Sequence, residues 1–186
     1  SNQVAIWSRD CSLLSTCEAA NQRGRAIAFR PSGFLVAASF CPETEEAAQI
    51  VLYESNGLAH GGFPLRCGRA VATSLCWSPD STLLAVVCDG HLQVWRSSNY
   101  VWHLVWELER EDDTMVVSVL GWSQTLSGRL VVLEGRNVRL VDFVRSVSVS
   151  SQASQAPSDM SVACVGDGRS VRLTALRRAV LPPPLC

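Results

Sequence analysis

Apolar and polar positions along the chain fall into short strand-like runs, some nearly unbroken and some with the two-residue period of a half-buried strand. Leu92-Gln93-Val94-Trp95 alternates in this way, as a half-buried strand must. Before it, Trp77-Ser78-Pro79-Asp80-Ser81 is a turn signal, Thr82 to Cys88 a nearly unbroken apolar run, and Asp89-Gly90 a hairpin signal. Together, Ser74 to Trp102 make one complete strand, turn and strand unit, and the rest of the chain repeats it in whole or in part.

The copies are visible in order. Val4-Ala5-Ile6-Trp7 reads as a strand with nothing before it, so the segment is expected to begin in the middle of a unit. Cys11 to Cys17 supplies the next strand. Ala26-Ile27-Ala28-Phe29 runs into Arg30-Pro31-Ser32-Gly33, matching Leu75-Cys76-Trp77-Ser78-Pro79-Asp80 position for position. Phe34 to Phe40 and Gln49 to Glu54 follow, closed by the turn Ser55-Asn56-Gly57. Tyr100 to Leu108 reads as an outer strand carrying Trp102, Leu104 and Trp106 on one face. Val116 to Trp122, Gly128 to Leu133 and Val138-Arg139-Leu140 repeat the set. The second half of Val144 to Asp159 reads as a surface loop, before strands at Met160 to Val165 and Val171-Arg172-Leu173.

The spacing of these strands sets the architecture. The triplets Val4-Ala5-Ile6, Ile50-Val51-Leu52, Leu92-Gln93-Val94, Val138-Arg139-Leu140 and Val171-Arg172-Leu173 start 46, 42, 46 and 33 residues apart. A four-stranded propeller blade repeats about every 40 to 45 residues. The expectation is an all-β chain forming part of a WD-type β-propeller, about four blades of four-stranded antiparallel sheet. Its units are 1–10 (the end of a preceding blade), 11–58, 59–99, 100–145, and 146–186 (an incomplete blade with a serine-rich loop). A part-ring leaves the sides of its end blades bare, so the segment alone is expected to aggregate or to bind its missing half.

Composition narrows the function. Of the residues, 47% are hydrophobic, which suits a folded core, and the formal net charge of −1 gives no overall field toward nucleic acid or an anionic membrane. All 16 basic residues are arginine, which excludes a catalytic Schiff-base or P-loop lysine within this chain. No apolar run approaches a membrane span, and no secretory pattern opens the chain. The 8 cysteines (Cys11, Cys17, Cys41, Cys67, Cys76, Cys88, Cys164, Cys186) lack a Cys-x-x-Cys pair, and no glycosylation acceptor accompanies them. They are expected to be reduced thiols of a cytoplasmic or nuclear protein. His60, His91 and His103 fall in different repeats, so no metal site is expected.

Candidate chemistry is sparse. His91 beside Asp89, and the acids Glu107, Glu109, Glu111, Asp112 and Asp113, are the available acid-base groups, but a hairpin turn and a surface loop do not converge such groups in a cleft. No nucleophile elbow, dinucleotide fingerprint or zinc-protease motif occurs, so neither an enzyme nor a cofactor is expected. Trp77 and Trp95 read as blade packing. Trp102 and Trp106 are the candidate partner surface, because an outer strand presents aromatics outward as well as inward. Arg177-Arg178 reads as a solvated strand end and Pro182 to Pro184 as an extended connection.

The same residues resemble a known family. Val4-Ala5-Ile6-Trp7-Ser8-Arg9, Phe29-Arg30-Pro31-Ser32-Gly33, Glu54-Ser55-Asn56-Gly57-Leu58-Ala59-His60-Gly61, Trp77-Ser78-Pro79-Asp80-Ser81, Val94-Trp95 with Asn99-Tyr100 and Trp102, and Val180-Leu181-Pro182-Pro183-Pro184-Leu185-Cys186 are similar, in order, to the first propeller of the largest subunit of the Elongator complex. The Glu-x-Asn-Gly-Leu-x-His-Gly and Val-x-Pro-Pro-Pro-x-Cys stretches are the specific ones. Two departures stand out: the tight Cys88-Asp89-Gly90 turn where the family carries a long insertion, and Val141-Asp142-Phe143 where it is richer in aromatics.

The resemblance implies a non-catalytic scaffold for modification of the tRNA wobble uridine. Its implied partners are a catalytic subunit using acetyl-coenzyme A and a radical S-adenosylmethionine centre, and a second propeller subunit. Contact with tRNA would be indirect, there would be no membrane partner, and dimerisation would run through a C-terminal region that this chain lacks. The alternative is a generic propeller adaptor for protein-protein interaction in trafficking or signalling.

Overall fold

The computed structural model describes residues 3–18, 23–41, 47–98, 101–108, 117–144, 162–167 and 170–175, and these contain strands and turns with no helix. A hairpin comes first, β1 (Gln3–Trp7) on β2 (Leu13–Glu18). A four-stranded antiparallel sheet follows, in the order β3 (Arg23–Phe29), β4 (Leu35–Cys41), β5 (Gln49–Glu54), β6 (Ala59–Pro64). The next sheet has the same order: β7 (Ser74–Trp77), β8 (Leu83–Cys88), β9 (His91–Ser98), β10 (Val101–Leu108). Three strands of a third sheet are described, β11 (Val117–Trp122), β12 (Arg129–Glu134) and β13 (Asn137–Asp142), and then the hairpin β14 (Val162–Asp167) on β15 (Ser170–Ala175). The first strands lie side by side, β3 by β7 and β7 by β11, as the inner strands of successive propeller blades do.

Burial explains why the apolar runs look as they do. β4 and β8 are buried at every position, since each is the second strand of its sheet and is covered on both faces. Such strands read as continuous apolar runs, not as alternation. The core lies between the sheets in three layers. Ile6 and Cys17 of the first hairpin pack against Val36, Ala38, Phe40 and Tyr53. Ala37, Ile50, Leu52 and Phe63 meet Trp77, Leu84, Val86, Trp95 and Leu104. Leu83, Ala85, Val87, Leu92 and Val94 meet Val117, Trp122, Leu130 and Val132. Each large side chain buried here contributes about 1.5 to 3 kcal/mol before entropy is counted.

Hydrogen bonds tie neighbouring blades with the same hand each time. Trp77 Nε1 donates to Ala28 O at 3.3 Å, and Trp122 Nε1 donates to Cys76 O at 3.0 Å, so the tryptophans ending β7 and β11 each reach the inner strand of the preceding blade. The turn after Trp77 closes on itself. Ser78 Oγ donates to Asp80 Oδ1 at 2.6 Å and accepts from Leu83 N, while Thr82 N and Oγ1 donate to Asp80. From the preceding blade, Arg30 Nε and Nη2 both donate to Ser81 O, at 3.1 and 2.9 Å.

Two sequence expectations are corrected. In β10 the register slips between Leu104 and Trp106: Leu104 lies opposite Trp95 and Trp106 opposite Val94, leaving Val105 as the extra residue of a bulge. Trp102 and Leu104 therefore face the preceding blade, whereas Trp106 and Leu108 face the following one, so the three side chains do not share a face. The cysteines are the second correction. Cys67, in the link before β7, forms a disulfide with Cys88 at the end of β8, because burial of both ends of this link brings the two side chains together. Cys11, Cys17, Cys76 and Cys164 are free thiols. Burial raises the Cys17 and Cys76 thiols above their usual range, which makes them poor nucleophiles.

Candidate binding surface

The two tryptophans proposed from sequence meet different fates. Trp102 stacks on Phe63 with centroids 4.7 Å apart and sets its edge to Trp77 at 5.8 Å, so most of its ring packs between blades. Trp106 packs edgewise on Phe143 at 6.0 Å, and Phe143 also meets Trp122 at 5.7 Å. Trp106 lines a groove of about 590 Å³ with Val105, Arg96, Asp80, Asp142 and Phe143. Both carboxylates in that groove are engaged internally. Asp142 is held below the usual carboxylate range by the Arg129 guanidinium, which donates through Nε at 2.6 Å and Nη2 at 2.7 Å.

The acid-base candidates do not converge. Asp89 sits in the β8–β9 turn with a left-handed φ of 46°, and His91 pairs across it with Cys88. Glu107 accepts from Gln93 Nε2 at 2.6 Å, and Gln93 Oε1 in turn accepts from Trp95 Nε1 at 3.2 Å. This network gives a fully buried glutamine its partners, so Glu107 serves packing. Glu109, Glu111, Asp112, Asp113, Arg177-Arg178 and Pro182 to Pro184 lie outside the described residues. Among the described residues no group of three metal-ligating side chains comes together.

A second surface was not anticipated as a site, although its sequence stretch was singled out. Glu54-Ser55-Asn56-Gly57-Leu58-Ala59-His60-Gly61 forms the turn from β5 to β6. Asn56 Oδ1 accepts from Leu58 N at 2.9 Å, closing the turn, and Asn56 Nδ2 donates to Glu54 Oε2 at 3.2 Å. Glu54 Oε1 meets His60 Nδ1 at 3.0 Å and so orients the imidazole. Gly57 adopts φ +88°, and a Cβ there would run into Ser15 Oγ of the first hairpin. At Gly62 a Cβ would collide with the carbonyl oxygen of Ile50, which explains a second glycine inside a strand. Beside this turn lie two adjoining recesses. One, of about 420 Å³, is lined by Arg30, Leu35, Leu52, His60, Gly61, Gly62, Ser97 and Trp102. The other, of about 380 Å³, shares Arg30, Leu35 and His60 and adds Phe34, Glu54 and Ser55. Sequence reasoning missed the site because Arg30, His60 and Ser97 come from three different strands or turns that only blade packing assembles.

Fold and surface together define a β-propeller of the WD type, and solved propellers agree. The chain superposes on a chain of the crystal structure of the mitotic checkpoint complex with a TM-score of 0.57 at 20% identity, covering 75% of this chain and 42% of that one. It superposes on the Dos1 propeller with a TM-score of 0.58 at 14% identity, covering 74% and 35%. Within that class the sequence is specific: residues 1–125 match the family model of the ELP1 first N-terminal β-propeller. The chain is 30% identical to Elongator complex protein 1 of Rattus norvegicus over 200 residues, 99% of this chain and 15% of that protein. It is 31% identical to Elongator complex protein 1 of Saccharomyces cerevisiae over 185 residues, 97% and 13%. The chain belongs to the Elongator complex protein 1 family, and it spans about 15% of the length of these relatives.

Proposed function

We propose that this propeller is a non-catalytic scaffold part of an Elongator subunit, supporting wobble-uridine modification of tRNA by a separate catalytic subunit. Membership of the Elongator complex protein 1 family carries the reading. The side chains support it, since Asp80, Asp142 and Glu54, the carboxylates that line the described grooves, are each engaged in internal hydrogen bonds or pairing. In this reading the partners are the acetyl-coenzyme A and radical S-adenosylmethionine subunit and a second propeller subunit, with tRNA reached only through the assembly. Dimerisation belongs to the remainder of the subunit, and the setting is cytoplasmic with a nuclear share. Both tryptophans are assigned to partner surfaces at separate grooves, Trp106 beside Phe143 and Trp102 beside Arg30 and His60, although Trp102 also stacks on Phe63 between blades.

The test is to tag the full-length subunit, identify what copurifies, and measure wobble-uridine modification in total tRNA. Copurification of both partner subunits, loss of modification when residues 1–186 are removed, and full modification with Asp89→Asn and His91→Ala are the expected results. Absence of both partners would favour the generic adaptor. Loss of modification in the Asp89 or His91 variants, with assembly intact, would overturn the non-catalytic assignment.

A further inference from the structure

We infer that the groove between the first two complete blades, bordered by Arg30, Phe34, His60 and Ser97, binds an extended acidic-apolar peptide segment of a partner protein. The inference concerns a partner chemistry and does not depend on the scaffold reading. Three observations converge on it.

The first is charge. Glu54 has both oxygens in hydrogen bonds, one with His60 and one with Asn56, which hold its carboxylate against the turn. Arg30 is different. Its Nε and Nη2 are fixed on Ser81 O and its guanidinium lies over the Trp77 ring at 5.4 Å, while Nη1 has no acceptor among the described residues. The charge is thus held in one orientation and still presents a donor to the groove. A carboxylate is the group that answers it, and the pre-set geometry lowers the ordering cost of binding.

The second is shape. Beyond His60, Gly61 and Gly62 line the groove without side chains, and β6 is the outer strand of its sheet, with no further strand beside it among the described residues. A main chain can approach such a strand closely and add to its edge. The third is apolar lining. Leu35, Leu52 and Trp102 form the floor, and Phe34 stands at the rim with 75% of its surface exposed, the second most exposed large hydrophobic described. One apolar side chain placed two residues from the carboxylate points to the same side of an extended peptide and reaches that floor.

The test uses the full-length subunit purified in its complex and fluorescence anisotropy of a labelled eight-residue peptide made of two Glu-Glu-Leu-Leu repeats, in which each Glu has a Leu two residues further on, on the same side of the extended chain. A Gln-Leu counterpart and a labelled oligo-dT serve as comparison probes. The Glu-Leu peptide is expected to bind at least tenfold tighter than the Gln-Leu peptide. Arg30→Met should weaken it about tenfold. Because Arg30 also joins blades, two variants avoid that contact: Phe34→Asp, at an exposed rim position, should weaken binding by a similar factor through repulsion, and Ser97→Trp should block the recess. Equal binding of the Glu and Gln peptides, unchanged affinity in Phe34→Asp and Ser97→Trp, or oligo-dT displacing the peptide at lower concentration would each overturn the assignment.

Discussion

The second and third sheets run the same sequence grammar with opposite outcomes at their third strand. β9 carries Leu92 and Val94, both fully buried; β13 carries Val138 and Leu140 at the corresponding register, 61% and 57% exposed. Their hairpins are alike, Asp89-Gly90 in one and Gly135-Arg136 in the other, each closing a pair that alternates down the strand. Phe143 N donating to Gly128 O fixes the phase in the third sheet, so Val138, Leu140 and Asp142 turn their main-chain groups away from β12. In the second sheet the equivalent edge is taken by β10, and the same face is covered by the third blade. Burial of a blade strand is therefore set by its neighbours as much as by its own residues.

Substitutions can break that comparison, and the largest effect is expected in the second sheet. Leu84→Ala, at a fully buried position between blades, should cost about 3 to 5 kcal/mol in denaturant unfolding of the full-length subunit, whereas Leu140→Ala should stay within about 0.5 kcal/mol. Equal losses would show that the third sheet is covered in solution. Next, the Cys67→Ser, Cys88→Ser pair removes a cross-link that, among the described residues, only the second blade possesses, and should lower stability by about 3 kcal/mol relative to the oxidised protein. A melting curve unchanged by reductant would contradict this.

A smaller effect is expected from the indole bonds. Trp77→Phe and Trp122→Phe each leave an inner-strand carbonyl without its donor, at about 1 to 2 kcal/mol apiece. If the second blade is the better supported, Trp77→Phe should be the milder in protease sensitivity. The smallest effect concerns pH. Burial raises the Asp80 carboxyl, but the donors from Ser78 and Thr82 outweigh it and hold it below the usual range. Because the folded pKa is the lower one, the stabilisation is present above the unfolded carboxylate pKa and is lost as pH falls through the folded value. Asp80→Asn should flatten that acid limb of stability, while Thr125→Ala in the corresponding turn of the third sheet should leave it unchanged.

Much of the fold was legible because its signals are local. The turn at Ser78 to Thr82, the hairpin at Asp89-Gly90 and the fully apolar β8 are each specified within about ten residues, and their spacing carries the blade repeat. What escaped depends on contacts between distant segments. The bulge at Val105 reverses Trp106 with no glycine or proline to mark it, and the Cys67–Cys88 bridge needs the link before β7 to fold over the end of β8. The strand Ala59–Pro64 was hidden by two glycines, whose small size the neighbouring Ile50 carbonyl requires at Gly62. The groove around Arg30 and His60 was invisible for a similar reason, as its lining comes from both blades.

The indole bonds also give the ring a sense of direction. Trp77 and Trp122 each donate backward, from their own inner strand to the blade before it, so the two partners of a junction do not stand to lose alike. Removing the later blade strips a donor from a carbonyl, a group that often tolerates partial satisfaction; removing the earlier one orphans a largely buried N–H, which proteins seldom leave unpaired. Opening of the propeller is thereby biased to start from the side of the later blades, with each earlier blade acting as the template on which its successor is seated.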